Sequence, residues 1–323
     1  MRAVVTGAAG FIGSHLCEHL VSRGDEVIGV DAMTDFYEPA LKRRHLAGLL
    51  GHDRFSFRRG DLLDLRLAPL FATADAVYHL AGQPGVRGSW GAEFDVYLER
   101  NVLATQRVLE AARDTGLRRL VFASSSSVYG DAEAYPTRET VRPRPVSPYG
   151  VTKLAAEQLC ETYRTVFGVP AVSLRLFSVY GPRQRPDMAF SRLVAAACAH
   201  RSFPMYGDGG QSRDFTYVGD VVRGMREAAL SPWSGVANLG GGCEVTMNQA
   251  IALVGRLAAP VRVTPGRARP GDARRTAADI TVARNAFGYR PATDLRTGLA
   301  AMVLVEEVSR RPGTREEPVA GRR

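Results

Sequence analysis

Tyr149 and Lys153 stand four residues apart in Tyr149-Gly-Val-Thr-Lys153, a spacing that puts a phenol and an ammonium on one face of a helix. An ammonium beside a phenol stabilises the phenolate, so the pair can act as a general base on a hydroxyl group. Pro148 suits the first turn of such a helix. A run of hydroxyls, Ser124-Ser-Ser-Ser127-Val-Tyr-Gly130, offers hydrogen-bond partners for the same substrate oxygen. Both features gain weight from a third. Thr6-Gly-Ala-Ala-Gly-Phe-Ile-Gly13 places glycines at 7, 10 and 13, directly after an apolar strand and opening a helix. There they allow a tight turn, close approach of backbone to a pyrophosphate and close helix packing, while the helix N-terminus offers free N–H groups. Gly7, Gly10, Phe11, Ile12 and Gly13 are therefore candidate cofactor contacts. Asp31 closes the second predicted strand, 18 residues beyond Gly13. A carboxylate there accepts hydrogen bonds from the adenosine ribose and repels a 2′-phosphate, which predicts NAD and not NADP. Lys42, Arg43 and Arg44 read as a solvated helix face.

These motifs need a scaffold that brings them together. The first half alternates short apolar runs with amphipathic stretches: strand-like 3–6, helix-like 11–23, strand-like 27–31, helix-like around 41–50 and strand-like 55–58. Further strands are predicted at 76–80, 120–124 and 171–177, with helices over 94–115 and 149–167. The alternation is that of βαβ units. It predicts an α/β fold, a Rossmann-like doubly wound parallel sheet with a smaller C-terminal substrate-binding region. In such sheets ligands bind at the carboxyl ends of the strands, where the glycine motif and the serine run both fall. After Phe177 the alternation loosens into Gly- and Pro-rich connections such as Gly207-Asp208-Gly209-Gly210. The expected domains are a cofactor-binding 1–174, a substrate-binding 175–308 interleaved with it, and a tail, 309–323, whose Pro, Gly and charge without periodicity predict disorder.

Composition narrows the classes. With 323 residues, 45% of them hydrophobic, the chain can bury a sizeable core. No run approaches a membrane span, and Met1 leads almost at once into a strand instead of a signal peptide, so a cytoplasmic protein is expected. Cys17, Cys160, Cys198 and Cys243 lack the paired spacing of a zinc site, and no metal is expected. The net charge of +9 is spread along the chain without a basic-and-aromatic motif, which argues for an acidic small-molecule substrate or a solvated surface and against nucleic acid.

The three motifs together closely resemble the extended short-chain dehydrogenase/reductases, in particular the NAD-dependent nucleotide-sugar epimerases and dehydratases. Asp61-Leu62 after the third strand, His79-Leu-Ala-Gly82 after the fourth, and Asn101 extend the resemblance, which runs from Met1 to about Leu304. It implies Tyr149 as base, Lys153 as its electrostatic partner and holder of the nicotinamide ribose, and Ser125 as the hydroxyl that meets the sugar oxygen. It implies Asp61 and Leu62 at the adenine, and Leu80, Ala81, Gly82 and Asn101 along the cofactor, with His79 structural. It also implies a homodimer through the 94–115 and 149–167 helices.

Members of this family first oxidise the sugar at C4 and then diverge. The resemblance puts the Asp-Glu pair of the hexose 4,6-dehydratases at Ser126 and Ser127, and the Glu of the uronate decarboxylases at Ser127, so both branches lack their acid or base. Epimerisation remains. The stretch Arg175-Leu-Phe-Ser-Val-Tyr-Gly-Pro-Arg-Gln-Arg-Pro-Asp-Met-Ala189, with Ser178 where neutral-sugar epimerases commonly carry Asn, looks like the UDP-glucuronate 4-epimerases, as does Gln83-Pro-Gly-Val-Arg87. The hydroxyls of Ser126, Ser127 and Ser178 with Arg185 suit a C5 carboxylate. Holding it would suppress carbon dioxide loss from the 4-keto uronate. Arg185 and Arg87 suit phosphate equally, and both readings stand. Arg192 and Arg213 match diphosphate contacts, Arg269 and Asp272 a pair near the nucleotide, and Tyr206 either a packing surface for the base or ordinary core. The expectation is a UDP-glucuronate 4-epimerase using NAD and a UDP-sugar. The alternatives are a neutral UDP-hexose or UDP-N-acetylhexosamine 4-epimerase, a UDP-glucuronate decarboxylase, and an NAD-binding regulatory protein without catalysis.

Overall fold

A computed structural model describes residues 1–267 and 271–311. Its centre is a seven-stranded parallel sheet. Six strands come from the first 176 residues: β1 (Arg2–Thr6), β2 (Glu26–Asp31), β3 (Phe55–Arg59), β4 (Ala76–His79), β5 (Arg119–Ser125) and β6 (Ala171–Leu176). The seventh, Gly235–Leu239, comes from the second half and pairs with β6. The spatial order is Gly235–Leu239, β6, β5, β4, β1, β2, β3. The chain winds outward from β1 to β3 and then returns to lay β4 on the other side of β1. A crevice therefore opens past the carboxyl ends of β1 and β4, where ligands bind in such sheets.

Both faces of the sheet are covered, as parallel strands require. On one face Leu16, Leu20, Val221 and Met225 of the Phe11–Ser22 and Val218–Leu230 helices pack against Val5, Val121 and Val172. On the other, Val108, Leu109, Ala156 and Cys160 of the Ala104–Arg113 and Pro148–Phe167 helices cover Val4, Val77 and Leu120. The second lobe has its own core, with Leu193, Val254 and Leu299 of the Ala189–Cys198, Met247–Leu257 and Leu295–Arg310 helices around Tyr180 and Phe190.

Three expectations about elements change. The 94–115 helix is interrupted: Phe94–Tyr97 is α-helical, Leu98–Leu103 is π-helical, and the α-helix resumes over Ala104–Arg113. The segment expected around 41–50 is helical over Pro39–Leu46, with Pro39 in its first turn. The last helix continues through Arg310, into the start of the expected tail, because Asp294 caps its first turn by accepting from the Thr297 amide at 2.7 Å and Leu299, Met302 and Val303 anchor it. Residues 312–323 lie outside the described residues.

Candidate active site

The site residues read from the sequence, Arg269 excepted, all line one cleft of about 1250 Å³ across the carboxyl ends of the central strands. Arg269 lies outside the described residues. Gly7 leaves β1 at φ +73°, where a Cβ would stand 2.8 Å from the Ala81 backbone nitrogen. A Cβ on Gly13 would stand 2.0 Å from the Gly7 carbonyl oxygen. The Phe11–Ser22 helix can therefore press on the turn only because both positions lack side chains. Gly10 is the N-cap and supplies no side-chain cap, which leaves N–H groups of the first turn for a ligand.

At the end of β2, Asp31 accepts from the Ala9 amide at 3.0 Å and the Met33 amide at 2.7 Å. Lys42, expected on a solvated face, turns inward. It is only 6% exposed, its Nζ lies 3.9 Å from Asp31 Oδ1, and it donates to the Thr34 hydroxyl at 3.2 Å. Burial pulls its pKa below the ordinary lysine value, with Asp31 opposing. Its ammonium lies 5.1 Å from the centroid of Tyr37, whose buried hydroxyl has no partner among the described residues. A cradle that any Cβ would fill, and an orphaned hydroxyl and a buried ammonium beside the Asp31 carboxylate, fit a dinucleotide. On the rim, Asp61 accepts from the Leu63 amide at 2.9 Å in a turn that carries the buried Leu62.

His79 is structural. Its ring bridges the Thr6 hydroxyl at 2.8 Å and the Thr105 hydroxyl at 3.0 Å, tying β1 and β4 to the Ala104–Arg113 helix. Burial, with the Lys153 charge, lowers its pKa to about 3. Asn101, in the π-helical turn, accepts from the Gln83 amide at 2.7 Å and donates to the Gln83 carbonyl and the Thr152 hydroxyl, each at 3.0 Å. It fastens the loop after β4 to the helix of Tyr149. Gly82 must be small there, since its Cβ would stand 2.7 Å from Asn101 Oδ1.

The Pro148–Phe167 helix is capped by Ser147, which accepts from the Gly150 amide at 3.1 Å. Tyr149 and Lys153 both face the cleft. Ser125 ends β5, accepts from the Ser127 amide at 3.1 Å and hydrogen-bonds the Tyr149 phenol. The phenol nevertheless sits above the ordinary tyrosine value, because burial outweighs the Ser125 bond and the Arg185 charge. The sequence-based expectation of a lowered value therefore needs more positive charge than the protein alone supplies. The Lys153 ammonium rests 4.4 Å from the centroid of Phe122, and burial lowers its pKa to about 8.

Farther along, Ser126, Ser127 and Ser178 line the wall with Arg185. Asp187 takes one edge of the Arg185 guanidinium, at 3.0 Å to Nε and 2.9 Å to Nη2, and so fixes its plane. At the far end Arg87 stacks 4.4 Å from the Tyr206 centroid and donates to Asp272 at 2.7 Å, joining two loops across the cleft. Arg192 approaches the same ring at 5.5 Å, so Tyr206 is a stacking platform and not core. Arg213 donates to the carbonyls of Ser212 and Arg274, and burial lowers its pKa. Sequence reasoning missed Lys42, Tyr37 and Phe36, which also line the cleft. One signal was there: the chain has two lysines, Lys42 and Lys153, among 42 basic residues, and both are buried in this cleft.

Comparison with known proteins agrees with this geometry. The model of the NAD dependent epimerase/dehydratase family matches residues 3–240. An uncharacterized UDP-glucose epimerase of Bacillus subtilis is 44% identical over 93% of this chain and 96% of its own length. A UDP-glucuronate 4-epimerase of Thermodesulfobacterium geofontis is 36% identical over 93% of this chain and 94% of its own. Among solved structures, the Bacillus cereus UDP-glucuronic acid 4-epimerase in complex with UDP-glucuronic acid and NAD superposes with a TM-score of 0.92. It is 39% identical and covers 95% of this chain and 99% of its own.

Proposed function

The chain belongs to the NAD dependent epimerase/dehydratase family, and within it we propose that it is a UDP-glucuronate 4-epimerase, interconverting UDP-glucuronic and UDP-galacturonic acid. One observation carries the reading. The cleft joins a dinucleotide cradle to Tyr149, Lys153 and Ser125, and the positions just before Val128 hold Ser126 and Ser127, which supply no carboxylic acid for elimination or decarboxylation.

NAD, when bound, supplies the acceptor and then the donor of the electron pair at C4 of the sugar. The glycine turn and the first turn of the Phe11–Ser22 helix hold its pyrophosphate, and Asp31 with Lys42 its adenosine ribose. Asp61, Leu62, Leu80, Ala81, Gly82 and Asn101 complete the wall along it. Tyr149 takes the C4 hydroxyl proton and returns it after the 4-keto sugar has presented its other face, while Ser125 holds the C4 oxygen. Lys153, one helical turn on, would stabilise the phenolate together with the positive nicotinamide ring of bound NAD, against the effect of burial on the phenol. Ser126, Ser127, Ser178 and Arg185 hold the C5 carboxylate. Arg87, Arg192, Arg213 and Asp272 surround the diphosphate and nucleotide, with the base on Tyr206.

A second reading, a neutral UDP-hexose 4-epimerase, is favoured by the pairing of Arg185 with Asp187, which leaves no uncompensated charge when the sugar is neutral. The chain acts in the cytoplasm as a homodimer. Its four cysteines are free, as suits a reducing compartment. Among the described residues no helix is long and apolar enough to cross a membrane. Leu98, Leu103, Val151 and Phe167, exposed on the paired helices, suit the subunit contact. The test is incubation with UDP-glucuronate without added NAD, followed by chromatography and mass analysis. A new peak of unchanged mass is expected. A product lighter by carbon dioxide would replace this reading with a decarboxylase, and turnover of UDP-glucose alone would establish the second reading.

A further inference from the structure

Behind the wall of the cleft lies a set of polar side chains that the proposed chemistry leaves unused. Glu157 is fully buried in the Pro148–Phe167 helix, one turn beyond Lys153. Ser124 donates to its Oε2 at 2.6 Å, and Arg175 clasps it through Nη2 to Oε1 at 2.6 Å and Nε to Oε2 at 3.0 Å. Arg175 also donates to the Tyr129 hydroxyl at 2.7 Å, which donates in turn to Asn238 Oδ1 at 2.8 Å. Asn238 is tied to the carbonyls of Thr137 and Asp279. The network spans β5, β6, the Gly235–Leu239 strand and the helix that carries Tyr149. A buried ion pair adds little stability over an apolar filling of the same shape, so stability alone does not account for it.

Its position relative to Lys153 does. No ion pair involves that ammonium among the described residues; it rests on the Phe122 ring. The titratable groups that face it are His79 from β4 and Tyr149, Glu157 and Cys160 from its own helix. Burial keeps His79 neutral near pH 7 and pushes the Cys160 thiol up to about 12. The Glu157 carboxylate, clasped by Arg175, is the anion of this set.

We propose that Glu157 is a positioning residue that keeps Lys153 in its ammonium form, with Arg175 and Ser124 holding its carboxylate one helical turn away. The proposal rests on the reading of Lys153 as the partner of Tyr149 in an NAD-dependent epimerase. Burial already pulls Lys153 down to about 8, and a positive nicotinamide ring pulls the same way. Glu157 opposes both. Without it the ammonium is lost near neutral pH, and the phenolate loses its partner.

The chain's two lysines make this measurable. Full-length protein labelled with 13C at the lysine ε-carbon gives two lysine signals, assigned with Lys42→Arg. In NAD-loaded E157Q the Lys153 signal titrates about one pH unit lower than in the wild type, and the alkaline limb of kcat moves down with it while KM changes less than about twofold. E157D keeps the charge and restores the limb. A folded E157Q in which neither the signal nor the limb moves overturns the proposal, whatever its kcat. If E157Q does not fold, the double variant E157Q/R175M replaces the ion pair with a neutral filling; because it removes the guanidinium along with the carboxylate, the Lys153 signal and the alkaline limb move down by less than in E157Q, and a folded double variant in which neither moves down overturns the proposal. The titration needs no substrate. A wild-type protein that leaves UDP-glucuronate unchanged would overturn the proposed reaction, and the Lys153 signal would still decide the role of Glu157.

Discussion

Gly13→Ala tests whether the glycine turn is a cofactor cradle. The added Cβ would lie 2.0 Å from the Gly7 carbonyl oxygen and 2.8 Å from its carbon, where real Cβ atoms essentially never come under 3.0 Å. Both obstacles are backbone, so no side chain can swing aside. The turn and the Phe11–Ser22 helix must part by about 1 Å, and hydrogen bonds from the helix amides to a pyrophosphate, near 2.9 Å when well made, then fall outside useful range. Each charge-assisted bond contributes about 1.5–3 kcal/mol, so losing one weakens NAD binding by about 10- to 100-fold and losing two by about 100-fold or more. Overpacking adds about 1–3 kcal/mol of lost stability. Calorimetric titration of the cofactor-free protein with NAD measures the first effect and thermal unfolding the second. Gly48→Ala is the control: nothing stands within 4 Å of a Cβ there, and both quantities should stay at wild-type values. A Gly13→Ala protein that binds NAD within about threefold of wild type would refute the cradle.

Four further outcomes follow from the same geometry. Tyr149→Phe lowers kcat by about 100- to 10,000-fold, the range for a lost general base, while NAD affinity by calorimetry stays within about threefold; turnover near the wild-type rate would remove Tyr149 from the mechanism. Lys42→Met weakens NAD about tenfold by the same measurement, since it leaves Asp31 without its buried cation; an unchanged affinity would return Lys42 to a packing role. Arg185→Ala releases the uronate carboxylate, so mass analysis of the products shows a species lighter by carbon dioxide that the wild type does not make; its absence would leave the carboxylate to the serines. His79 is held neutral, with its pKa lowered from 6.5 to about 3. The unfolded chain therefore binds more protons below pH 6.5, and stability is lost as pH falls through that value. At pH 5 the loss is about 2 kcal/mol from this residue, and His15, lowered to about 4, adds to it. The melting midpoint falls by about 5 °C between pH 7.5 and pH 5, and a midpoint constant across that range would show that the imidazoles are free to ionise.

How much of this could be read from the residues depends on how locally each feature is encoded. Strands such as Phe55–Arg59 and Ala171–Leu176 fall within a residue of their expected bounds at each end, because a strand flanked by turn residues announces itself over a few positions. The seventh strand did not. Gly235–Leu239 is ordinary as a segment and becomes part of the main sheet only through pairing with β6, a partner far back in the chain. The π-helical turn around Asn101 was equally hidden, since nothing in an amphipathic run distinguishes one extra residue per turn. At the site, motif residues were found because their spacing is local: Tyr149 to Lys153, Gly7 to Gly13. The partners that set their behaviour were not. Asp272 reaches Arg87 and Arg175 reaches Glu157 only through the fold.

Lys42 shows how a composition can speak where a pattern is silent. In Leu41-Lys-Arg-Arg44 the three cations look alike, and a charge run on a short helix reads as a solvated face. The fold separates them, burying Lys42 while Arg43 and Arg44 stay exposed. A guanidinium is planar, large and permanently charged, whereas an ammonium is compact, fits a narrow polar hole and can have its proton affinity tuned by burial. A chain that uses arginine at every other basic position therefore marks the two places where a compact, tunable cation is needed. Lys153 sits against the Phe122 ring beside Tyr149, and Lys42 sits against Asp31 under Tyr37. They stand at the two ends of the groove proposed for NAD, one at the reacting ring and one at the adenosine ribose. The rarity of the residue and the burial of both examples thus point to the same ligand by independent routes.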